Sequence, residues 1–200
     1  MSQSLENKTI ARIYGHSRGW AFSQKDFSDI GGRSSIDWVL YNLEGKGTIR
    51  RVIRGIYDYP RTGKLIKGKL GPEIQEVAQA IARKHGWTIQ PSGETALNVF
   101  ELSTQVPGRY LFFSDGPNRS YMVENLSLEF RKGPLKDIRI RSNEGILLVQ
   151  ALKALGKEQI GKKTIAALRD KISPKNREKI VKETKYVTDW IYDAIKKICL

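Results

Sequence analysis

The sequence predicts an α+β fold in two parts, an N-terminal module over residues 1–70 and an α/β domain over residues 71–200 ending in a helical C-terminal segment. Three observations predict it. Residues 5–60 pass through helical and extended patterns and finish in a short hairpin. Residues 72–132 alternate helices with strands. From Ser142 onward the apolar spacing is helical.

Leu5–Tyr14 reads as a helix, with Ile10, Ile13 and Tyr14 at helical spacing and Gly15 placed to end it. Residues 19–22, GWAF, are aromatic and extended. In SQKDFSDI, Ser23 suits an N-cap, and Phe27 and Ile30 lie three apart on one face. Gly31-Gly32 breaks the chain. The next helix, RSSIDWVLYNLEGKG, has Ser34 or Ser35 to cap it. Its buried stripe is Ile36, Val39, Leu40 and Leu43, at i, i+3, i+4 and i+7. Asp37, Trp38, Tyr41 and Asn42 occupy the opposite face. Then GTIRRVIRGIYDYP offers Ile49, Val52, Ile53, Ile56 and Tyr57 to two strands and crowds Arg50, Arg51 and Arg54 near their turn.

Helix, short strand, helix, turn, helix, hairpin is the order of a winged helix-turn-helix. That architecture sends the third helix into the major groove of DNA and lays the hairpin along the backbone or a minor groove. Arginines near the hairpin turn then neutralise phosphates or probe a narrow minor groove. On an ordinary solvated hairpin, the same charges would block edge pairing.

The stretch RTGKLIKGKLGP, with Arg61, Lys64, Lys67 and Lys69 among glycines, reads as a basic linker, either a solvated connector or a phosphate contact. The domain boundary falls near Gly71–Pro72. PEIQEVAQAIARKHG follows as an amphipathic helix with Ile74, Val77, Ala78 and Ile81 on one face. Trp87–Gln90 is a buried strand, and about Gly93 to Phe100 a short helix. Tyr110–Phe113, Tyr121–Val123 and Leu126–Phe130 are strands, with Asp115-Gly116-Pro117-Asn118 as a turn. The final helical stretches are NEGILLVQALKALG, KKTIAALRDKI and SPKNREKIVKETKYVTDWIYDAIKKI, with Ser173-Pro174 as N-cap and first helical residue.

The formal net charge of +14 over 200 residues points to an anionic partner, nucleic acid before an anionic membrane surface. The excess is uneven. Residues 1–70 hold 13 basic against 6 acidic side chains, residues 71–133 hold 6 against 7, and residues 134–200 hold 16 against 8. The two basic ends suggest a division of labour. The one cysteine, Cys199, forms no internal disulfide and fits a reducing cytosol. No N-terminal run resembles a signal peptide, and no stretch approaches the roughly 18 apolar residues of a membrane span. A soluble, cytoplasmic protein is expected, with no membrane partner.

Nothing in the sequence demands catalysis. His16 and His85 lack metal-ligand spacing. There is no phosphate-binding GxxxxGK[ST] loop and no GxGxxG fingerprint. Glu94, Glu101, Asp115 and Glu124 would have to gather to make a nuclease-like carboxylate cluster, and their spacing does not require it. No enzymatic activity, metal or cofactor is expected.

The residues carry a family resemblance. GGRSSIDWVLYNLEGKGTIRRVIRGIYDYP resembles the N-terminal winged helix of AbiEi-type antitoxins and their stand-alone relatives. SGETALNVFELSTQVPGRYLFFSDG is similar to that family's second-domain signature, and LVQALKALGK with IAALRDKIS is similar to its closing helices. The resemblance implies a bacterial transcriptional regulator that binds inverted repeats in double-stranded DNA at its own promoter and represses it. It also implies a cognate nucleotidyltransferase-like toxin, countered in the type IV manner without a stable complex. On the resemblance, Arg33, Ser34, Ser35, Asp37, Trp38, Tyr41 and Asn42 face the groove. Asn42 suits adenine, and Arg33 suits guanine or a phosphate. Trp38 stacks or touches thymine methyls, or else packs under the hairpin. Arg50, Arg51 and Arg54, with Lys64 and Lys67, are the backbone candidates. Ser103 to Pro107 match the second-domain motif as a loop. The competing expectation is a basic protein-interaction module that binds DNA incidentally.

Overall fold

The structure is a computed structural model that describes residues 4–63, 68–103, 108–133, 135 and 140–200. It is a mixed α+β chain, with helices at the N-terminal end and a helical C-terminal segment. By its contacts the chain divides into two compact units, Met1–Thr88 with Tyr121–Leu128, and Ile89–Ser120 with Glu129–Leu200. Among the described residues no helix is long and apolar enough to cross a membrane.

In the first unit, α1 spans Leu5–Gly15, and Ser4 caps it by accepting from the Asn7 backbone N–H at 3.2 Å. Strand β1, Ala21–Phe22, leads into a 3-10 turn over Gln24–Phe27. Ser23 and Asp26 form a capping box there, each side chain engaging the other's backbone end. Helix α2 covers Arg33–Gly45, and β2, Arg50–Ile53, and β3, Ile56–Asp58, make the hairpin. The three strands pair antiparallel in the order β1-β3-β2. The predicted stripe Ile36, Val39, Leu40 and Leu43 is buried against Ile13, Phe22, Phe27 and Ile49. This core fixes which face of α2 meets solvent.

Helix α2 begins before either predicted cap. Gly32 is its N-cap, and Ser34 and Ser35 lie exposed in the first turn. Glycine is an acceptable cap because its backbone enters the required extended conformation without a side-chain cost. Helix α3, Ile74–His85, follows the boundary read at Gly71–Pro72 yet packs against β1, β3 and the 3-10 turn of this unit. Its apolar face, with Val77, Ala78 and Ile81 buried, finds its cover there.

Strand β4, Ile89–Pro91, is followed by α4, Gly93–Val99, which Ser92 caps through the Thr95 backbone N–H. Strands β5, Arg109–Ser114, β6, Arg119–Val123, and β7, Leu126–Lys132, complete a sheet ordered β4-β5-β7-β6. The turn at 115–118 is as predicted, with Ser114 Oγ accepting from Gly116 N–H at 2.9 Å. Helices α5, Asn143–Leu155, α6, Lys162–Lys171, α7, Arg177–Glu183, and α8, Asp189–Cys199, enclose the second unit's core. The last predicted helical stretch is therefore two helices. The chain leaves α7 at buried Thr184, whose hydroxyl donates to Ile180 O at 2.8 Å. The break lets Ile180 and the Ile191, Ile195 and Ile198 face of α8 share one core.

Candidate nucleic-acid interface

Burial of one stripe of α2 projects the other outward. Arg33 is 85% exposed, Trp38 63% and Tyr41 71%. Asp37 is also exposed, and Asn42 is half-buried. Arg33 Nε lies 3.8 Å from the Asp37 carboxylate, an exposed i,i+4 pair that leaves the guanidinium largely free for other acceptors. Trp38 does not pack under the hairpin. With Ser34 and Ser35 it lines a shallow groove against Ser4, Leu5 and Glu6 at the start of α1.

The hairpin turns on two residues, Arg54 and Gly55. Gly55 has φ +74°, in the left-handed region that tight hairpin turns demand. The three arginines are not equivalent. Arg51 and Arg54 are exposed, and neither pairs with an acid among the described residues. Arg50 is turned inward. Its guanidinium donates to both oxygens of Asp58, at 3.0 and 2.6 Å, and to Leu70 O at 2.9 Å. The hydrogen bond to Asp58 pushes the Arg50 pKa up despite its partial burial. Arg50, read from the sequence as a backbone contact, thus has three of its five donors engaged within the fold, because Asp58 sits directly across the strand pair and is buried.

Two cations that sequence reasoning missed stand beside this surface. Lys84, in the last turn of α3, donates to Arg54 O at 3.3 Å, and Lys25 of the 3-10 turn donates to Lys84 O at 3.4 Å. Burial, then Arg33 and Arg54, push the Lys84 amine pKa down. In the sequence, Arg83-Lys84-His85 looks like basic punctuation at a helix end. Only the packing of α3 on the first unit brings it to a turn thirty residues earlier.

A family model matches residues 8–180, from α1 through most of α7 and so across both units. The chain belongs to DUF6088, a family of unknown function. No curated protein matches it at a significant level. In this DUF6088 chain Lys64, Lys67 and the 104–107 portion of the second-domain motif lie outside the described residues. Glu94, Glu101 and Asp115 are exposed, and Glu101 pairs with Lys171 at 2.6 Å. Among the described residues no three His, Cys, Asp or Glu side chains gather as a metal site. Cys199 is buried, and burial pushes its thiol pKa up, away from a reactive thiolate.

Proposed function

We propose that this DUF6088 protein is a bacterial DNA-binding transcriptional regulator whose first unit works as a winged helix-turn-helix. The observation that carries the reading is the exposed face of α2, with Arg33, Trp38 and Tyr41, accompanied by a hairpin whose Arg51 and Arg54 are exposed and pair with no acid among the described residues. A helix supported by a buried stripe, with long polar and aromatic side chains outward, suits the major groove. The free hairpin cations suit phosphates. Ser34, Ser35, Asp37 and Asn42 complete the groove-facing set, and Lys64 and Lys67 belong to the backbone set.

The AbiEi resemblance extends the proposal. The operator is then an inverted repeat at the protein's own promoter, the compartment is the bacterial cytoplasm, and the second unit counters a nucleotidyltransferase-like toxin without a stable complex. No enzymatic role is proposed. The competing reading, a protein-interaction module, draws on the basic surplus of residues 134–200.

The test is binding of the full-length protein to the duplex upstream of its own gene, competed with random duplex at two salt concentrations. Tight binding that survives competition supports a site-specific regulator. Weak binding that random duplex removes equally well favours the interaction module.

A further inference from the structure

A pocket opens in the first unit where the 3-10 turn, the start of α2, the hairpin turn and the end of α3 converge. Lys25, Arg33, Gly55 and Lys84 line it, with Asp37 on its wall. Four separate stretches of chain thus deliver three cations and one carboxylate to one cavity, and the charge of Arg54 also acts on Lys84.

The cations are incompletely neutralised. Lys25 and Lys84 pair with no acid among the described residues, and each spends one of its three donors on a backbone carbonyl. Among the described residues Arg33 has only the 3.8 Å approach to Asp37. Burial first, and then the charges of Arg33 and Arg54, disfavour the charged Lys84 amine and push its pKa down. An anion seated among these groups offsets that cost.

The backbone around the pocket also favours an anion. Helix α2 starts here with Gly32 as N-cap, so no capping side chain accepts from its first N–H groups. At Gly55, a Cβ would come within 2.7 Å of Lys84 Nζ, so glycine keeps the turn open to the amine.

We propose that this pocket holds one backbone phosphate of the duplex that α2 enters, with Lys25 and Lys84 as its cationic clamp. The proposal rests on the DNA-binding reading above. It makes α3, an element outside the helix-turn-helix and hairpin, part of the DNA-binding surface. A phosphodiester fits better than a carboxylate. It can accept from both lysines at once, and phosphates flank a major groove beside any helix lying in it. The contact fixes register and orientation without reading sequence.

The experiment measures affinity of the full-length protein for its promoter duplex and for random duplex across a salt series. The variants are Lys84→Gln, Lys25→Gln, their combination, and Lys84→Arg. Lys84→Gln keeps a donor for Arg54 O while removing the charge. The slope of log affinity against log salt is expected to flatten by about 0.9 in the double variant, the share of one phosphate, and by part of that in each single variant, on both duplexes. Lys84→Arg restores the slope, which a merely structural role for Lys84 would not explain. Wild-type slopes in the double variant, with DNA binding intact, overturn the clamp and leave the DNA-binding reading standing. Absence of duplex binding by the wild-type protein overturns both.

Discussion

Arg50 and Asp58 face each other across the hairpin and join through two hydrogen bonds, with the carboxylate 1% and the guanidinium 23% exposed. The paired, forked geometry satisfies a carboxylate that would otherwise be buried and alone. The hairpin therefore has one arginine that builds it and two that it displays. Arg50→Ala is expected to cost about 3 kcal/mol of stability, because it strands a buried charge. Arg51→Ala and Arg54→Ala are expected to leave stability within about 0.5 kcal/mol. Denaturant unfolding of the three variants checks this, and equal stability losses would remove the distinction. On the proposed DNA-binding reading the ranking is expected to invert. Arg51→Ala combined with Arg54→Ala is then expected to weaken binding to every duplex and to flatten the salt dependence by about 1.8 in slope.

Much of this first unit was legible in the sequence because burial imposes a period. The α2 stripe, the β2 and β3 residues and the Ser23 cap all announce themselves locally. What was not legible depends on who sits opposite. Arg50, Arg51 and Arg54 look alike in a row, and only the strand register gives Asp58 to the first of them. Lys84 was invisible as a site residue because its neighbour, the Arg54 carbonyl, is thirty residues away. The break between α7 and α8 was hidden for a different reason. Thr184 fits a helical pattern, and its hydroxyl bonds back within that helix while the chain departs.

A second arginine fork holds α1 in place. Arg12 donates to both oxygens of Asp29, at 2.6 and 2.7 Å, tying α1 to the segment that precedes α2. Those hydrogen bonds lower the Asp29 pKa from 3.8 to about 2. The folded value lies below the unfolded one, so the stabilisation is complete above about pH 4 and is lost as pH falls through about 2. The stability gap between the wild type and Asp29→Asn is expected to be flat at neutral pH and to close over that acid window. Because the carboxylate is exposed, the gap also narrows in high salt. Unfolding curves taken from pH 7 to pH 2 decide it, and a gap that is constant over the whole range would contradict the assignment.

The second unit has its own tight point. Helix α4 starts at Gly93 against α5, where a Cβ on Gly93 would lie 2.7 Å from Ala154 Cβ. Neither atom can swing away, since both are fixed to helical backbone. Gly93→Ala is expected to destabilise by about 1–3 kcal/mol through overpacking. Ala154→Gly in the same chain should recover part of the loss, beyond what the two single changes sum to. Thermal unfolding of the double-mutant cycle reads that coupling, and simple additivity would show that α4 and α5 do not constrain each other there.

The outward face of α2 separates base reading from simple attraction. Trp38 and Tyr41 are exposed and uncharged, so neither adds to the phosphate term. Asn42, on the same face, has the paired donor and acceptor that match adenine. Asn42→Ala is expected to lower the preference for the promoter over random duplex by about 1–3 kcal/mol, with the salt slope unchanged. Trp38→Ala and Tyr41→Ala should also erode the preference while leaving stability within about 0.5 kcal/mol, since neither side chain is part of the buried core. Affinities for both duplexes at one salt concentration, set beside the unfolding midpoint, make the comparison. An equal loss on promoter and random DNA would mean that these residues press on the backbone and do not read the groove.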